Sequence, residues 1–245
     1  MLRKKRKFCN VVLFGSTSEI GLEVVKALDI DYPSNLFLVG REQPNLQPLI
    51  EKYTKVSFIK CDFLDSLRLK DVICEIFDGT PPDIALLAAG ILPPENHELD
   101  SESVARAVEF NALAMITLLS QVTKRFLGFK NGTVLVFSSV AAQRPRSKNF
   151  TYGASKASLD FFAVGLARKV LKQGVIIKVL RLGYVFTHMS RDFPPAPFAI
   201  TKEIAAKEIV KSLRDNNVTV YIPKKLRFLF FILRALPWYI FSKLE

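Results

Sequence analysis

Short apolar runs alternate along this chain with longer segments in which apolar residues recur every three to four positions. The longer segments, 19–30, 101–126 and 152–173, have the periodicity of helices that cover a core. Strands that are apolar throughout and are joined by helices are typical of a parallel sheet with helices on both faces. The runs of strand length are 10–14, 35–40, 56–62, 83–90, 132–139, 174–183 and 218–223. The pattern therefore predicts a three-layer α/β fold with a doubly wound parallel sheet in a single domain.

The alternation stops near Pro223, and a segment of different composition follows. With 245 residues, 49% of them hydrophobic, the chain is long enough for one substantial core. We therefore divide it into a body, 1–223, and a C-terminal tail, 224–245, which reads KKLRFLFFILRALPWYIFSKLE.

The tail combines aromatic with basic residues, and Arg234 and Pro237 interrupt its apolar run. A helix that spans a bilayer needs about 20 apolar residues, so the tail is too short to span one. Two interpretations are open and can hold together: an interfacial helix whose basic residues meet anionic headgroups, and a helix docked on the core or on a partner subunit. We expect the first, which predicts peripheral contact with a membrane.

The charge of the chain narrows the choice of partner. The net charge of +12 and the pI near 9.7 indicate an anionic partner, either nucleic acid or an acidic lipid surface. The basic run at 3–7 lacks the motifs of a nucleic-acid-binding protein, so no nucleic-acid partner is expected. The three cysteines have no metal-ligand spacing and indicate free thiols in a reducing, cytoplasmic compartment. His97 and His188 lack acidic or cysteine partners at ligand spacing, so no metal site is predicted.

The loops after the first strands carry candidate ligand-binding residues. In a parallel sheet, ligands bind beyond the carboxyl ends of the strands. The first such loop, Gly15 to Gly21, reads GSTSEIG and could hold a pyrophosphate at the helix N-terminus, although a plain strand-to-helix turn also uses Gly and Ser. Arg41 follows the second strand and favours a 2′-phosphate, with a solvated loop arginine as the alternative. Asp62 follows the third strand and either accepts a hydrogen bond from adenine or caps a helix.

Further along the chain, four polar residues have the types and positions of a proton-transfer site. Ser139 ends the strand 132–139, and Asn111 interrupts a helix in EFNALA. Tyr152 and Lys156 lie one turn apart on one helix face. Each residue alone has an ordinary structural explanation, but their order behind a glycine loop in a parallel α/β chain favours chemistry.

These motifs resemble the short-chain dehydrogenase/reductase family over residues 8–223. The resemblance implies a Rossmann-type fold and a ketoreductase that uses NADH or NADPH. The chain departs from the family pattern at Glu19, where most members have glycine, at Ala88, where many have asparagine, and at Leu182, where proline is usual. By resemblance, the cofactor-binding residues are Gly15, Ser18, Glu19, Ile20, Gly21, Arg41, Asp62, Ala89, Gly90, Tyr152, Lys156, Val185 and Thr187.

The resemblance also implies a role for each catalytic residue. Reduction of a ketone needs a proton on the developing alkoxide, and Tyr152 would supply it. The Lys156 ammonium is expected to lower the pKa of this phenol and to bind the nicotinamide ribose. Ser139 would hydrogen-bond the carbonyl oxygen, and Asn111 would anchor a water that relays protons to Lys156.

A narrower resemblance concerns the substrate. The segments TSEIG and RPRSKNFTYGASKASLD, with the tail, are similar to the decaprenylphosphoryl-2-keto-β-D-erythro-pentose reductases of actinobacterial cell-wall arabinan synthesis. That group implies a polyprenyl-phosphate keto-sugar, supplied by a flavin-dependent oxidase, and reduction to the arabinose form. It is associated with NADH, so Arg41 leaves the choice of cofactor open. A homo-oligomer is one alternative for the assembly.

Other interpretations of the substrate and of the function are open. Arg144 and Arg146, with Lys148, are expected to receive the substrate phosphate because they lie between Ser139 and Tyr152 in the sequence. A solvated loop is the alternative for these basic residues. The substrate could also be another lipid-like ketone, such as a fatty acyl or steroid compound. A catalytically idle dinucleotide-binding module on a membrane is the alternative of a different class.

Overall fold

Nine strands build the sheets of the computed structural model, which describes residues 7–94 and 99–243. His97 and most of the basic run at 3–7 lie outside these residues. The strands are β1 Phe8–Phe14, β2 Ile30–Gly40, β3 Lys55–Lys60, β4 Ile84–Leu87, β5 Gly132–Ser139, β6 Val175–Leu182, β7 Val185–Phe186, β8 Ile200–Thr201 and β9 Thr219–Ile222. Seven of them form one parallel sheet in the order β3-β2-β1-β4-β5-β6-β9, and β7 pairs with β8. The order reverses between β1 and β4, where a doubly wound fold binds its ligand.

Helices cover both faces of this sheet. They are α1 Glu19–Ala27, α2 Gln47–Ile50, α3 Ser66–Gly79, α4 Ser101–Val108, α5 Met115–Phe129, α6 Phe150–Val170, α7 Lys202–Ser212, α8 Leu226–Ala235 and α9 Trp238–Phe241. One core layer joins the sheet to α3, α5 and α6, and the other joins it to α1 and α7. The predicted three-layer fold is confirmed.

The predicted helix 101–126 extends to Phe129 and contains a π-helical turn, Glu109–Ala114, between α4 and α5. This segment, Ser101–Phe129, is long and apolar enough to cross a membrane by composition. Its side chains Leu118, Val122 and Phe126 are fully buried against the sheet, as in the core helix of a globular domain. The next helix, α6, begins two residues earlier than predicted, and residues 171–173 form a 3₁₀ turn instead of its last turn.

The tail folds as two helices that pack on the body. Leu226 and Phe230 of α8 are buried against Val140 and Tyr221, with Leu229 and Leu233 partly buried beside them. Pro237 separates α8 from the short α9. The interpretation in which the tail docks on the core is therefore correct for one face of α8.

A polar network connects α6 to β6 beneath this contact. The Arg181 guanidinium donates two hydrogen bonds to the Asp160 carboxylate, at 2.8 and 3.1 Å, and a third to the Tyr221 hydroxyl. The Ser138 hydroxyl also donates to Asp160, at 2.8 Å. Because Asp160 lies one turn beyond Lys156 on α6, the network fixes the helix that carries the catalytic candidates.

We expect Asp160→Asn to lower the free energy of unfolding by about 3 kcal/mol, because the Arg181 charge would be left partly buried without its carboxylate. Urea unfolding followed by circular dichroism measures this change. Asp78→Asn is the matched control, since Asp78 pairs with Arg125 at the surface, where an ion pair contributes less than about 1 kcal/mol. Equal losses in the two variants would contradict a structural role for the Asp160–Arg181 pair.

Candidate active site

The loop between β1 and α1 forms a shallow cradle at the carboxyl edge of the sheet. Gly15 has a φ of +106°, and a Cβ at this position would lie 2.7 Å from the Ala89 nitrogen. Only glycine therefore allows the loop to approach the end of β4 so closely. Ser18 caps α1 by accepting a hydrogen bond from the Gly21 amide, and Ile20 packs partly buried against the core. The loop and the N-terminus of α1 fit a pyrophosphate.

Glu19, the residue in place of the family glycine, is tied to the opposite side of this cradle. Its carboxylate accepts hydrogen bonds from the His188 backbone amide and from the Lys202 ammonium, the latter at 2.7 Å. Burial raises the pKa of Glu19, but these hydrogen bonds outweigh it and hold the pKa below its usual value. The ion pair with Lys202 offsets the negative charge beside the candidate phosphate site, so Glu19 is compatible with a dinucleotide there.

The candidate adenosine residues follow the next strands along the edge. Arg41 comes directly after β2, and its side chain is exposed. Asp62 follows β3 and is exposed, and its carboxylate accepts a hydrogen bond from the Leu64 amide at 3.1 Å. The cap of α3 is Asp65. The alternative of Asp62 as the helix cap is therefore wrong.

The end of β4 is held against the π-helical turn by Asn111. Its side-chain amide donates to the Ile91 carbonyl and its oxygen accepts from the Ile91 amide, both at 2.8 Å. It also donates to the Ser155 hydroxyl at 3.2 Å. A Cβ on Gly90 would lie 3.1 Å from the Lys156 ammonium nitrogen, so this loop borders the candidate catalytic lysine. The irregular helix explains why an asparagine stands in a helix interior.

Ser139, Tyr152 and Lys156 come together where β5 ends and α6 begins. The Ser139 hydroxyl is hydrogen-bonded to the Tyr152 phenol and accepts from the Ala141 amide. Lys156 is 4% exposed, and its ammonium donates to the Phe137 carbonyl at 3.1 Å. The same ammonium lies 5.8 Å from the centre of the Tyr152 ring.

Burial dominates the acidity of this pair. It raises the pKa of Tyr152 to about 12, although the hydrogen bond with Ser139 acts in the opposite direction, and it lowers the pKa of Lys156 to about 8. The pKa of the phenol is therefore raised overall, contrary to the expectation of a lowered value, because burial outweighs the effects that favour the phenolate. The lysine is also easier to neutralise than an exposed one.

The loop after β6 faces the glycine loop. Val185 is buried and begins β7, and Thr187 follows with its amide donating to the Ser190 hydroxyl at 3.1 Å. Ser190 also donates to the Val185 carbonyl at 2.7 Å. Thr187 is thus held by its own turn and, through His188, by Glu19.

The basic residues between Ser139 and Tyr152 do not act as one group. Arg144 donates to the Leu236 carbonyl of the tail at 2.9 Å, and its guanidinium lies 4.6 Å from the centre of the Phe241 ring. The tail therefore engages one nitrogen and the flat face of the Arg144 guanidinium, and its contact with a substrate phosphate stays a prediction. Arg146 is half-buried beside Asn149, and Lys148 is exposed.

Several residues of the site were missed by the sequence interpretation. Asp160 carried a signal, since it is the one acidic residue of α6. Ser155, which meets Asn111, and Lys202, which pairs with Glu19, carried none, because their partners are far away in the sequence. Within residues 7–94 and 99–243, no cluster of His, Cys, Asp or Glu has the makeup of a metal site.

Comparisons with known proteins agree with this geometry. The sequence pattern of the short chain dehydrogenases matches residues 9–197. The chain is 30% identical to an uncharacterized oxidoreductase of Mycobacterium tuberculosis over 241 residues, 96% of each chain. It is also 30% identical to an uncharacterized oxidoreductase of Streptomyces coelicolor, over 96% of this chain and 95% of the relative. A short chain dehydrogenase from Burkholderia cenocepacia, solved with NADP, superposes with a TM-score of 0.77 at 17% identity and covers 94% of each chain.

The shared sequence pattern spans most of the chain, and the cradle, the buried lysine and the neighbouring tyrosine lie at one edge of one parallel sheet. The protein belongs to the short-chain dehydrogenase/reductase family and is an NAD(P)-dependent oxidoreductase.

Proposed function

We propose that the protein is a ketoreductase that reduces the keto-sugar of a polyprenyl-phosphate 2-keto-pentose to the arabinose form, a step toward arabinan precursors of a cell wall. The observation that carries this proposal is the apolar character of the loop beside the candidate nicotinamide site. Phe186, Met189 and Phe198 are each close to half exposed on this loop, on either side of Thr187 in the sequence. An exposed apolar cluster at a catalytic edge favours a substrate with a hydrocarbon chain.

Basic side chains near this cluster suit the phosphate of such a substrate. The Lys225 ammonium lies 5.9 Å from the centre of the Phe198 ring, which brings the start of the tail beside the apolar loop. Arg146 and Lys148 lie on the loop that follows Ser139. The similarity of this loop and of the tail to the actinobacterial keto-pentose reductases supports the same substrate. The two relatives from Mycobacterium and Streptomyces are named only as oxidoreductases.

In the proposed reaction, a nicotinamide bound beside the glycine loop would supply the hydride, and this chain supplies the proton. Ser139 holds the carbonyl oxygen, and the Tyr152 hydroxyl donates its proton as charge develops on that oxygen. The phenolate that remains is stabilised by the Lys156 ammonium, which is 5.8 Å from the ring centre. Asn111 orders the loop behind Lys156, where a water can restore the proton to the pair.

The substrate class places the enzyme in a sequence of reactions. A 2-keto-pentose on a polyprenyl phosphate must come from oxidation of the ribose precursor, which a flavin-dependent oxidase would catalyse. The enzyme would then act in the cytoplasm, on the surface of the cell membrane. The second candidate substrate is a neutral lipid-like ketone, which the apolar loop alone would also accept. An idle binding module would not need Ser139, Tyr152 and Lys156 grouped where β5 ends and α6 begins.

The experiment that tests this proposal measures oxidation of NADH and of NADPH with enzymatically oxidised polyprenylphosphoryl ribose. A panel of neutral ketones with similar chains is assayed in parallel, and the sugar product is identified after hydrolysis. We expect the phosphorylated keto-sugar to be preferred and arabinose to be the product. Turnover of the neutral ketones alone supports the second candidate, and no turnover of any ketone supports the idle module.

The pH dependence of the reaction should follow the titration of the Lys156 ammonium. Since its pKa is lowered to about 8 by burial, the ammonium is lost as the pH rises through that value, and the phenolate loses its stabilising charge. We expect kcat/KM for reduction to be level below this pH and to fall above it.

Two variants separate Lys156 from other titrating groups. Lys156→Arg keeps a charge that does not titrate, so its lower activity should show no such fall. Tyr152→Phe keeps the ring but removes the proton donor, so turnover should be lost at every pH while cofactor binding persists. The same fall in Lys156→Arg would assign the titration to another group.

Arg41 should decide the choice between the two cofactors. If its exposed guanidinium meets a 2′-phosphate, Arg41→Ala should weaken NADPH binding by about 1.5 to 3 kcal/mol and leave NADH nearly unchanged. Fluorescence titration of both cofactors measures this, with the exposed Arg68 of α3, replaced by alanine, as the control. Equal affinity of the unmodified protein for NADH and NADPH would make Arg41 a bystander.

Arg146 should recognise the substrate phosphate. We expect Arg146→Glu to raise KM for the phosphorylated keto-sugar about tenfold, with little effect on a neutral ketone, because a charge-assisted bond becomes a repulsion. Arg68→Glu introduces the same change of charge at an exposed arginine of α3 and should affect neither substrate. An equal rise for both substrates would mean that Arg146 only supports the loop.

A further inference from the structure

The tail helix α8 has two apolar faces, and the fold uses only one. Leu226, Leu229, Phe230 and Leu233 form the face that packs on the body. Phe228, Phe231, Ile232 and Ala235 follow the i, i+3, i+4, i+7 spacing on the opposite side. Phe228 is 71% and Phe231 is 66% exposed. An amphipathic helix that only docked on its own core would carry polar residues at these positions.

The short helix α9 extends this second face. Trp238 and Tyr239 are exposed, at 62% and 68%. Trp and Tyr are enriched where a protein meets the headgroup region of a membrane, because one end of each side chain is apolar and the other is polar. We call the exposed apolar side chains of α8 and α9 the outward face: Phe228, Phe231, Ile232, Ala235, Trp238 and Tyr239.

Basic residues predominate in the helices that carry the outward face. Residues 224–243 contain five basic residues, Lys224, Lys225, Arg227, Arg234 and Lys243, and no acidic residue. All five are exposed. On α8, Arg227 and Arg234 are seven residues apart and therefore border the outward face on one side. This is the composition of a helix that lies in the plane of an anionic lipid surface.

The same charges argue against a second copy of the chain as the occupant. In a two-fold symmetric dimer, this face would meet itself, and each cluster of five basic residues would face the other. Like charges brought together in this way oppose association. An anionic bilayer offers both an apolar layer for the aromatic side chains and phosphates for the basic ones.

We propose that the outward face is a docking surface for anionic membranes. The position of this surface relates it to the active site. Arg144 joins the loop after Ser139 to the tail, by its bond to the Leu236 carbonyl and its contact with the Phe241 ring. Val140, the residue after Ser139, packs on α8. The surface is thus attached to the catalytic edge, and docking does not depend on which ketone is reduced.

Vesicle sedimentation of the full chain tests this proposal. With vesicles of phosphatidylglycerol and phosphatidylcholine, we expect binding that weakens as salt rises, and little binding to pure phosphatidylcholine. Phe228→Gln with Phe231→Gln should weaken binding to the anionic vesicles at least about tenfold. Leu67→Gln with Phe161→Gln is the matched control, because both side chains are exposed but lie on α3 and α6, and it should bind like the unmodified chain.

Further measurements distinguish membrane binding from misfolding, from binding of a second copy of the chain and from binding of nucleic acid. Circular dichroism and turnover of a soluble short-chain ketone should be unchanged in the phenylalanine variant. If that variant fails to fold, the double variant Arg227→Gln with Arg234→Gln replaces it in the vesicle-binding test, because both side chains are exposed. Equal vesicle binding by test and control variants overturns the proposal. A change from dimer to monomer in light scattering with vesicle binding intact, or binding to a single-stranded oligonucleotide without vesicle binding, overturns it as well.

Discussion

The burial of the Lys156 ammonium is the constraint on which the rest of the site depends. A charge that is 4% exposed must be hydrogen-bonded, and the Phe137 carbonyl at the end of β5 accepts from it. The loop beside it must be narrow, which is why Gly90 cannot carry a side chain without approaching the ammonium. Asn111 then fixes that loop from a π-helical turn. The strand end, the glycine and the irregular helix thus all surround one buried charge.

The sequence predicted what local pattern and parallel topology determine, and it failed where distant segments meet. The seven strands of the main sheet and the helix with Tyr152 and Lys156 followed from hydrophobic spacing, because buried parallel strands are apolar throughout. The interruption at Asn111 could be suspected from a polar residue in a helix. The acidity of Tyr152 could not be predicted from the sequence, because it depends on how deeply the phenol is buried against loops that only the fold brings together.

Arg144 illustrates how a nearby segment can change the role of a residue. Its position between Ser139 and Tyr152 predicted contact with substrate, but sequence proximity does not specify which partner a long side chain reaches. The tail supplies a carbonyl that accepts from one nitrogen of the Arg144 guanidinium and an aromatic ring that packs against its flat face. Arg144 therefore stabilises the junction of body and tail. Through that junction, the loop that begins at Ser139 and the two C-terminal helices form one structural unit.

At the start of α1, Glu19 orders the facing loop, whereas a glycine there would let a ligand approach the backbone more closely. A glycine at the start of α1 lets a pyrophosphate come near the helix N-terminus, but it leaves the facing loop without a tether. The Glu19 carboxylate binds the His188 amide and Lys202, and so joins the start of α1 to the turn after Thr187 and to the start of α7. Its charge would repel a phosphate, and the Lys202 ammonium offsets it. The departure from the family pattern is therefore consistent with a retained cofactor site whose two sides are held together before a dinucleotide binds.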